Sequence, residues 1–470
     1  MAWGQRKRSQ RERITSMKAI IEQALGQLKG RVEQIAGEFE RAGLSPRSLS
    51  DFEHELHGSL GEFGRRIETA VLEKADIETD VIEHGGARQY FKYKGPQEYQ
   101  CLFGKIEVRR SVYQANGERT LCPLEVNAGI LHHHLTPPAA EFVSYSTAHM
   151  VPAEVAEFCR RWQYLNPSET VIKHVAAEVG EMSELVADLY QEKIHEKEGP
   201  PPEETSVVTI SRDGTCVNIR EEGWREAQSG AISFYGEMVQ DEDGEEQRER
   251  LGSVYLGQMP EEKTPTFDEK FDREVEGVTK TLSRRTLLAC IADGSLSIWK
   301  YFENHPKLKN AVHINDFWHA AQYLSDAADA LFGRGTAQAK RWFKKYRHIL
   351  KTQDGGVDQA LRSIRYYRRN LNIRSDTRLE EIRKALRYLT RNRERMHYAE
   401  YRRRGLPIGS GVVEAACKTL VGHRFKRAGM RWSIEGGQNI LNLRAALLSK
   451  RWDFFWESHQ EVIGADRVAA

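Results

Sequence analysis

The chain has 470 residues, of which 29% are charged, yet its formal net charge is only +2. Its six cysteines, Cys101, Cys122, Cys159, Cys216, Cys290 and Cys417, include no close CxxC pair. That excludes a disulfide framework and a four-cysteine zinc site, and it implies a reducing compartment. No apolar run follows Arg6, Lys7 and Arg8 or reaches membrane-spanning length elsewhere, so neither a signal peptide nor a membrane protein is expected.

Residues 9–43 predict one amphipathic helix, with Ile14, Met17, Ile21, Leu25, Leu28, Val32, Ile35 and Phe39 three or four apart. The stripe suits a short coiled coil or, since glycines interrupt it, packing on a second helix over 48–80. Residues 97–125 take on strand character, and Asn116-Gly117 is the strongest two-residue hairpin signal in the region. Cys101 and Cys122 flank it and His132, His133 and His134 follow, but their spacing matches no standard zinc pattern. A helix-turn-helix is expected at 152–180: a helix from Pro152 to Trp162, a turn at Gln163–Leu165, and a second helix capped by Asn166-Pro167-Ser168-Glu169. Lys173 and His174 on that second helix are candidate DNA contacts, although any pair of helices reads this way. Residues 196–205 form a polar, proline-rich linker.

From Thr205 the pattern is β, with strands expected at 205–212, 224–239 and 250–258, the last two joined by an acidic turn from Gln240 to Gln247. A helix at 267–284, a strand at 286–292, a helix at 295–304, a strand at 310–315 and a helix from Asp316 follow. Charge is strongly uneven. Residues 331–430 hold 26 Lys and Arg against 8 Asp and Glu, so this segment carries +18 and the remainder −16. Trp342, Phe343, Tyr346, Tyr366, Tyr367, Tyr388, Tyr398 and Tyr401 are interleaved with those arginines. The segment reads either as a phosphate-binding surface or as a solvated helical face with an aromatic core.

Three acids stand out. Asp213 and Asp293 each close an apolar, strand-like run and precede glycine, and Glu414 lies just inside a helix start. Each alone reads as a turn or helix-cap residue. Together they suggest carboxylates gathered at the lip of a sheet, whose mutual repulsion a divalent cation with hard oxygen ligands relieves. Asp316 also ends a strand-like run and competes with Asp293 for the second position. His319, three residues on, suits either a phosphate contact or a plain hydrogen-bonded histidine.

In Ser-Arg-Asp213-Gly-Thr, Ala-Asp293-Gly-Ser, Asp316-Phe-Trp-His319 and Gly409-Ser-Gly-Val-Val-Glu414-Ala, the chain resembles the DDE transposases of the Mutator-like superfamily, in particular the bacterial Kra-type insertion-sequence branch. The segment Arg424-Phe-Lys-Arg-Ala-Gly-Met-Arg-Trp432-Ser is similar to that family's signature after the glutamate, whereas a cysteine-rich N-terminal zinc motif is missing. The resemblance implies a multidomain α+β or α/β protein with a ribonuclease H-like catalytic core (205–330 and 406–456) interrupted by a basic helical insertion (331–405). Preceding it would be an N-terminal helical region (1–95), a β-hairpin module (96–136) and a helical DNA-binding region (137–200), with a tail at 457–470. It also implies Mg²⁺ or Mn²⁺ held by Asp213, Asp293 and Glu414, and element ends and target DNA as partners. DNA contacts would come from Arg424, Lys426, Arg427, Arg431 and Trp432, in a homo-oligomeric paired-end complex in the bacterial cytoplasm, at the nucleoid. The expected activity is DNA cleavage at the element's ends and joining of the 3′-hydroxyl to a target. A structure-specific nuclease without strand transfer and a non-catalytic DNA-binding regulator are the alternatives.

Overall fold

The computed structural model describes residues 16–130, 133–162, 165–197, 204–240, 246–465 and 468. Expectations for Ile14, His132, Gln163, Tyr164 and most of the linker and acidic turn lie outside them. Two compact units emerge, Met1–Ala187 with Phe455–Ala470, and Asp188–Phe454. The sheet and the basic helices share the second unit. Among the described residues no helix is long and apolar enough to cross a membrane.

In the first unit, helices Met17–Ala42 and Pro46–Ala75 fold back on each other, with Phe39 against Phe52 at 5.2 Å and Arg31 bonded to Glu55 at 2.7 Å. Gly43 and a Ser45–Ser48 capping box make the reversal. The stripe is thus covered within the chain on one side, with only Ala24 and Ile35 buried on the first helix. Strands β1 (Val81–His84), β2 (Ala87–Cys101) and β3 (Gly104–Gln114) form an antiparallel sheet. The tight turn falls between Cys101 and Gly104 rather than at Asn116-Gly117, which returns the chain only to an isolated Tyr113–Leu121 bridge. Cross-strand burial of Tyr99, Ile106 and Val108 fixes this register, and it outweighs the local Asn-Gly preference.

Helices Pro152–Trp162 and Glu169–Leu185 occupy the expected helix-turn-helix positions. Ser168, not Asn166, is the N-cap, accepting from Val171 N at 3.3 Å. A hydroxyl at that position satisfies the free N–H, and Pro167 then lies before the helix. Ile172, Val175 and Val179 are buried, whereas Lys173 and His174 are exposed, His174 stacking on His133 at 4.7 Å.

The second unit is built on a five-stranded sheet in the order β6-β5-β4-β7-β8: β4 (Val207–Ile219), β5 (Gly223–Gln240), β6 (Glu246–Gln258), β7 (Leu287–Ala292) and β8 (Val312–Asn315). β4, β5 and β6 form an antiparallel meander, and β7 and β8 add in parallel. Period-2 alternation divides the core in two. Val208, Ile210, Cys290 and Ala292 face one layer, packing with Phe267, Phe271, Trp299 and Phe302 of helices Pro265–Thr281 and Leu296–Asn304. Val207, Ala289, Ile291 and Ile314 face the other, packing with helix Phe317–Phe332 and the helices of 337–403. Of the eight aromatics among the arginines, Trp342, Tyr388, Tyr398 and Tyr401 are buried and only Tyr366 is exposed. These rings therefore build a helical core, which the periodic sequence also permitted.

Candidate metal centre

Strand register places the acids. Ser211 pairs with Ile291, and Ile291 with Ile314. Two residues beyond each stand Asp213, Asp293 and Asp316, at equivalent positions where parallel β7 and β8 end beside β4. Neighbouring strands lie about 4.8 Å apart, so Asp213 has Asp293 next to it and Asp316 one strand further away. Asp293, rather than Asp316, is accordingly the neighbour of Asp213. Glu414 approaches from helix Gly411–Ala416, which runs on as a π-turn, Cys417–Gly422. The irregularity begins three residues after the acid, at Cys417.

Hydrogen bonds then separate ligand from scaffold. Asp316 is fully buried and caps helix Phe317–Phe332. Its Oδ1 accepts from His319 N at 2.7 Å and His319 Nδ1 at 3.0 Å, and its Oδ2 accepts from Ser410 N at 2.5 Å and Ser410 Oγ at 2.9 Å. Three N–H donors and a Ser410 hydroxyl shared with Glu414 thus occupy its two oxygens. Burial works to raise its pKa, but the bonds from His319 and Ser410 prevail and hold it below the ordinary carboxylate value. Asp316, His319 and Glu414 do bring one ligand atom each within 4.8 Å of one another. Asp316 is the most heavily hydrogen-bonded member of that trio, and among the described residues neither Asp213 nor Asp293 belongs to so close a group.

Asp213 and Asp293 retain coordinating capacity. Asp213 Oδ1 accepts from Gly214 N at 2.8 Å and Oδ2 from the Cys417 thiol at 3.4 Å, one bond per oxygen. Burial and the nearby Asp293 charge raise the Asp213 pKa. Burial pushes the Cys417 thiol up to about 12, so it remains a donor. Asp293 Oδ1 accepts from Ser295 N at 2.9 Å, and Glu414 Oε1 from Ser410 Oγ at 3.0 Å. Donors made only of carboxylate oxygen suit Mg²⁺ or Mn²⁺. An open cleft of about 890 Å³ has Asp213 and Asp293 in its wall, with Lys263, Lys300 and Tyr301 around them.

Sequence reasoning missed the brace behind Asp293. Gly294 has φ +101°, and a Cβ there would stand 2.8 Å from the Tyr388 ring, so glycine is required. Tyr388 donates its hydroxyl proton to the Asp293 carbonyl at 2.6 Å, and Arg391 Nη2 donates to the Gly294 carbonyl at 2.8 Å. Buried Asn315 donates to the Tyr388 oxygen at 2.9 Å, and Tyr398 donates to the Asn315 carbonyl at 2.8 Å. The basic helices thus clamp the turn that carries the second aspartate.

The expected DNA contacts divide. Lys426, Arg427 and Arg431 are exposed. Arg424 is only 3% exposed, with its guanidinium over the Trp432 ring at 5.1 Å, and Trp432 bonds through Nε1 to the Phe425 carbonyl and through its backbone to Asn218 and Arg220. Both make folding contacts that strap the chain to the end of β4, and Arg424 is buried there while Trp432 is half-buried. Zinc ligation by Cys101 and Cys122 also finds no support: among the described residues, neither belongs to a group of three possible ligands, and Cys101 donates to the Gly104 carbonyl.

Neither a family model nor a curated protein sequence matches this chain.

The His319 hydrogen bond to Asp316, with the Asp316, Asp293 and Glu414 charges, raises the His319 pKa to about 9. A base whose folded pKa exceeds its unfolded value of about 6.5 stabilises fully below that value and loses its contribution as pH rises through the folded pKa. In EDTA, stability should therefore fall between pH 6.5 and 9, by about 1 kcal/mol once screening of this half-exposed side chain is allowed for. Urea unfolding at several pH values checks this, and His319→Gln should flatten the dependence.

Proposed function

We propose that the protein is a metal-dependent DNA transposase of the Mutator-like DDE type, with a ribonuclease H-like catalytic core. The observation that carries the reading is the placement of Asp213 on β4 and of Asp293 just past the end of the adjacent parallel β7, each two residues beyond the Ser211–Ile291 pair, with the Glu414 helix leading into Cys417, whose thiol reaches Asp213. Three antiparallel strands followed by two parallel ones, in the order β6-β5-β4-β7-β8, is the strand order of a ribonuclease H-like sheet and supports it. Asp213, Asp293 and Glu414 would hold Mg²⁺ or Mn²⁺, which supplies activation of water or a 3′-hydroxyl and neutralises the departing oxygen. Asp316 orients His319 and the Ser410 turn, Ser410 holds Glu414, and Cys417 aims the Asp213 carboxylate. Lys426, Arg427 and Arg431 offer phosphate contacts, and the protein would join two element ends as a homo-oligomer.

The deciding experiment incubates the protein and Mg²⁺ with pre-cleaved duplex ends taken from the DNA flanking its gene, together with a supercoiled target. Joined products that disappear with Asp213→Ala are expected. Cleavage without joining would instead favour a nuclease, and binding without either reaction a regulator.

A further inference from the structure

Trp318 sits between Asp316 and His319 in sequence, yet its side chain is 55% exposed. Burying an indole is strongly favourable, and its neighbour Phe317 is 1% exposed, so an open tryptophan here is unusual. The ring is nevertheless held in place. Its Cδ1 and Nε1 lie 3.1 Å from where a Gly409 Cβ would stand, a point 3.6 Å from Asp316 Oδ2, so the indole borders Asp316 and the Gly409–Ser410 turn that holds Glu414. The Arg347 guanidinium lies 5.0 Å from the ring centroid.

Arg347 belongs to helix Ala337–Thr352, where Lys340, Lys344, Arg347 and Lys351 recur at steps of three and four and so share one face. Ala339, Trp342, Ile349 and Leu350 bury the opposite side. An exposed aromatic surface thus continues into a basic stripe. That pairing fits a nucleic-acid strand, since bases stack on aromatic faces while phosphates follow lysine and arginine. A protein partner would need apolar neighbours around the indole, and this helix face presents cations instead.

We propose that Trp318, with Arg347 beside it, is a stacking platform for an unpaired base next to the bond being cut, and that the strand leaves along the Lys340–Lys351 face. The proposal rests on the reading of the acids as a DNA-cutting centre. Trp318 touches the substrate without taking part in bond making, and its role is to hold a frayed strand in line with the carboxylates. Stacking tolerates any base, so it would select for unpaired DNA rather than for sequence.

The test measures binding by the full-length protein of a fluorescein-labelled duplex with an unpaired thymine tail and of its fully paired counterpart, in Ca²⁺. Wild type should prefer the forked substrate by about ten-fold. Trp318→Ala should abolish the preference, Trp318→Phe should restore part of it, and an abasic residue at the fork should weaken wild type while leaving Trp318→Ala unchanged. Wild type binding the abasic and intact forks equally overturns the platform and leaves the DNA-cutting reading standing. Binding of neither substrate overturns both. The abasic comparison uses unmodified protein, so it decides even where Trp318→Ala fails to fold.

Discussion

Asp213→Asn and Asp293→Asn each leave a folded protein with no measurable DNA cleavage. The substitution keeps the side-chain volume and removes one charge, so packing is conserved while the hard-oxygen site loses half of its charge on the strands. A loss of at least about 10²–10³-fold is expected, the size found when one electrostatic stabiliser is removed from a pre-organised site. Stability should hold or rise. Asp213 already carries a raised pKa because burial and Asp293 disfavour its charge, and neutralising it relieves that cost. Mg²⁺ should raise the melting temperature of wild type and leave either variant unmoved, since a ligand stabilises only a fold that binds it. A Mg²⁺-dependent shift that survives in both variants would show that the cation sits elsewhere.

Asp316→Ala has the opposite signature. Removing this fully buried carboxylate leaves Ser410 N, His319 N and His319 Nδ1 without their acceptor, at a cost of about 3 kcal/mol. Urea unfolding should report that destabilisation, and activity should fall because Ser410 and Glu414 lose their anchor. A variant with wild-type stability and no Mg²⁺ response would return Asp316 to the role of ligand.

The sequence alone carried the elements that local pattern controls. Apolar runs before Asp-Gly marked β7 and the first half of β4, which continues through Asp213-Gly214 to Ile219 instead of ending there, and capped amphipathic stretches marked the helices around them. It also brought forward five residues, Asp213, Asp293, Asp316, His319 and Glu414, that the fold gathers at one end of a sheet. Asp293 was preferred over Asp316 from the longer apolar run before it and from the resemblance, and the ladder adds that its strand is the one beside β4. Tyr388, Arg391 and Asn315 were illegible as supports, since nothing local ties a helix tyrosine to a turn 95 residues away. Arg424 was misleading for a related reason: a charge read from sequence carries no sign of the tryptophan that covers it.

The grip of Tyr388 and Arg391 on the Asp293–Gly294 turn makes excision of the basic helices costly. Their removal would strip the second aspartate of its seat, so a trimmed sheet would keep its strands yet lose its chemistry. The turn amides should exchange with deuterium at the same pace as the helix Asp376–Arg391 interior, opening together with it. Strand and insertion are then one cooperative foldon, and substitutions deep in those helices become changes in the placement of Asp293.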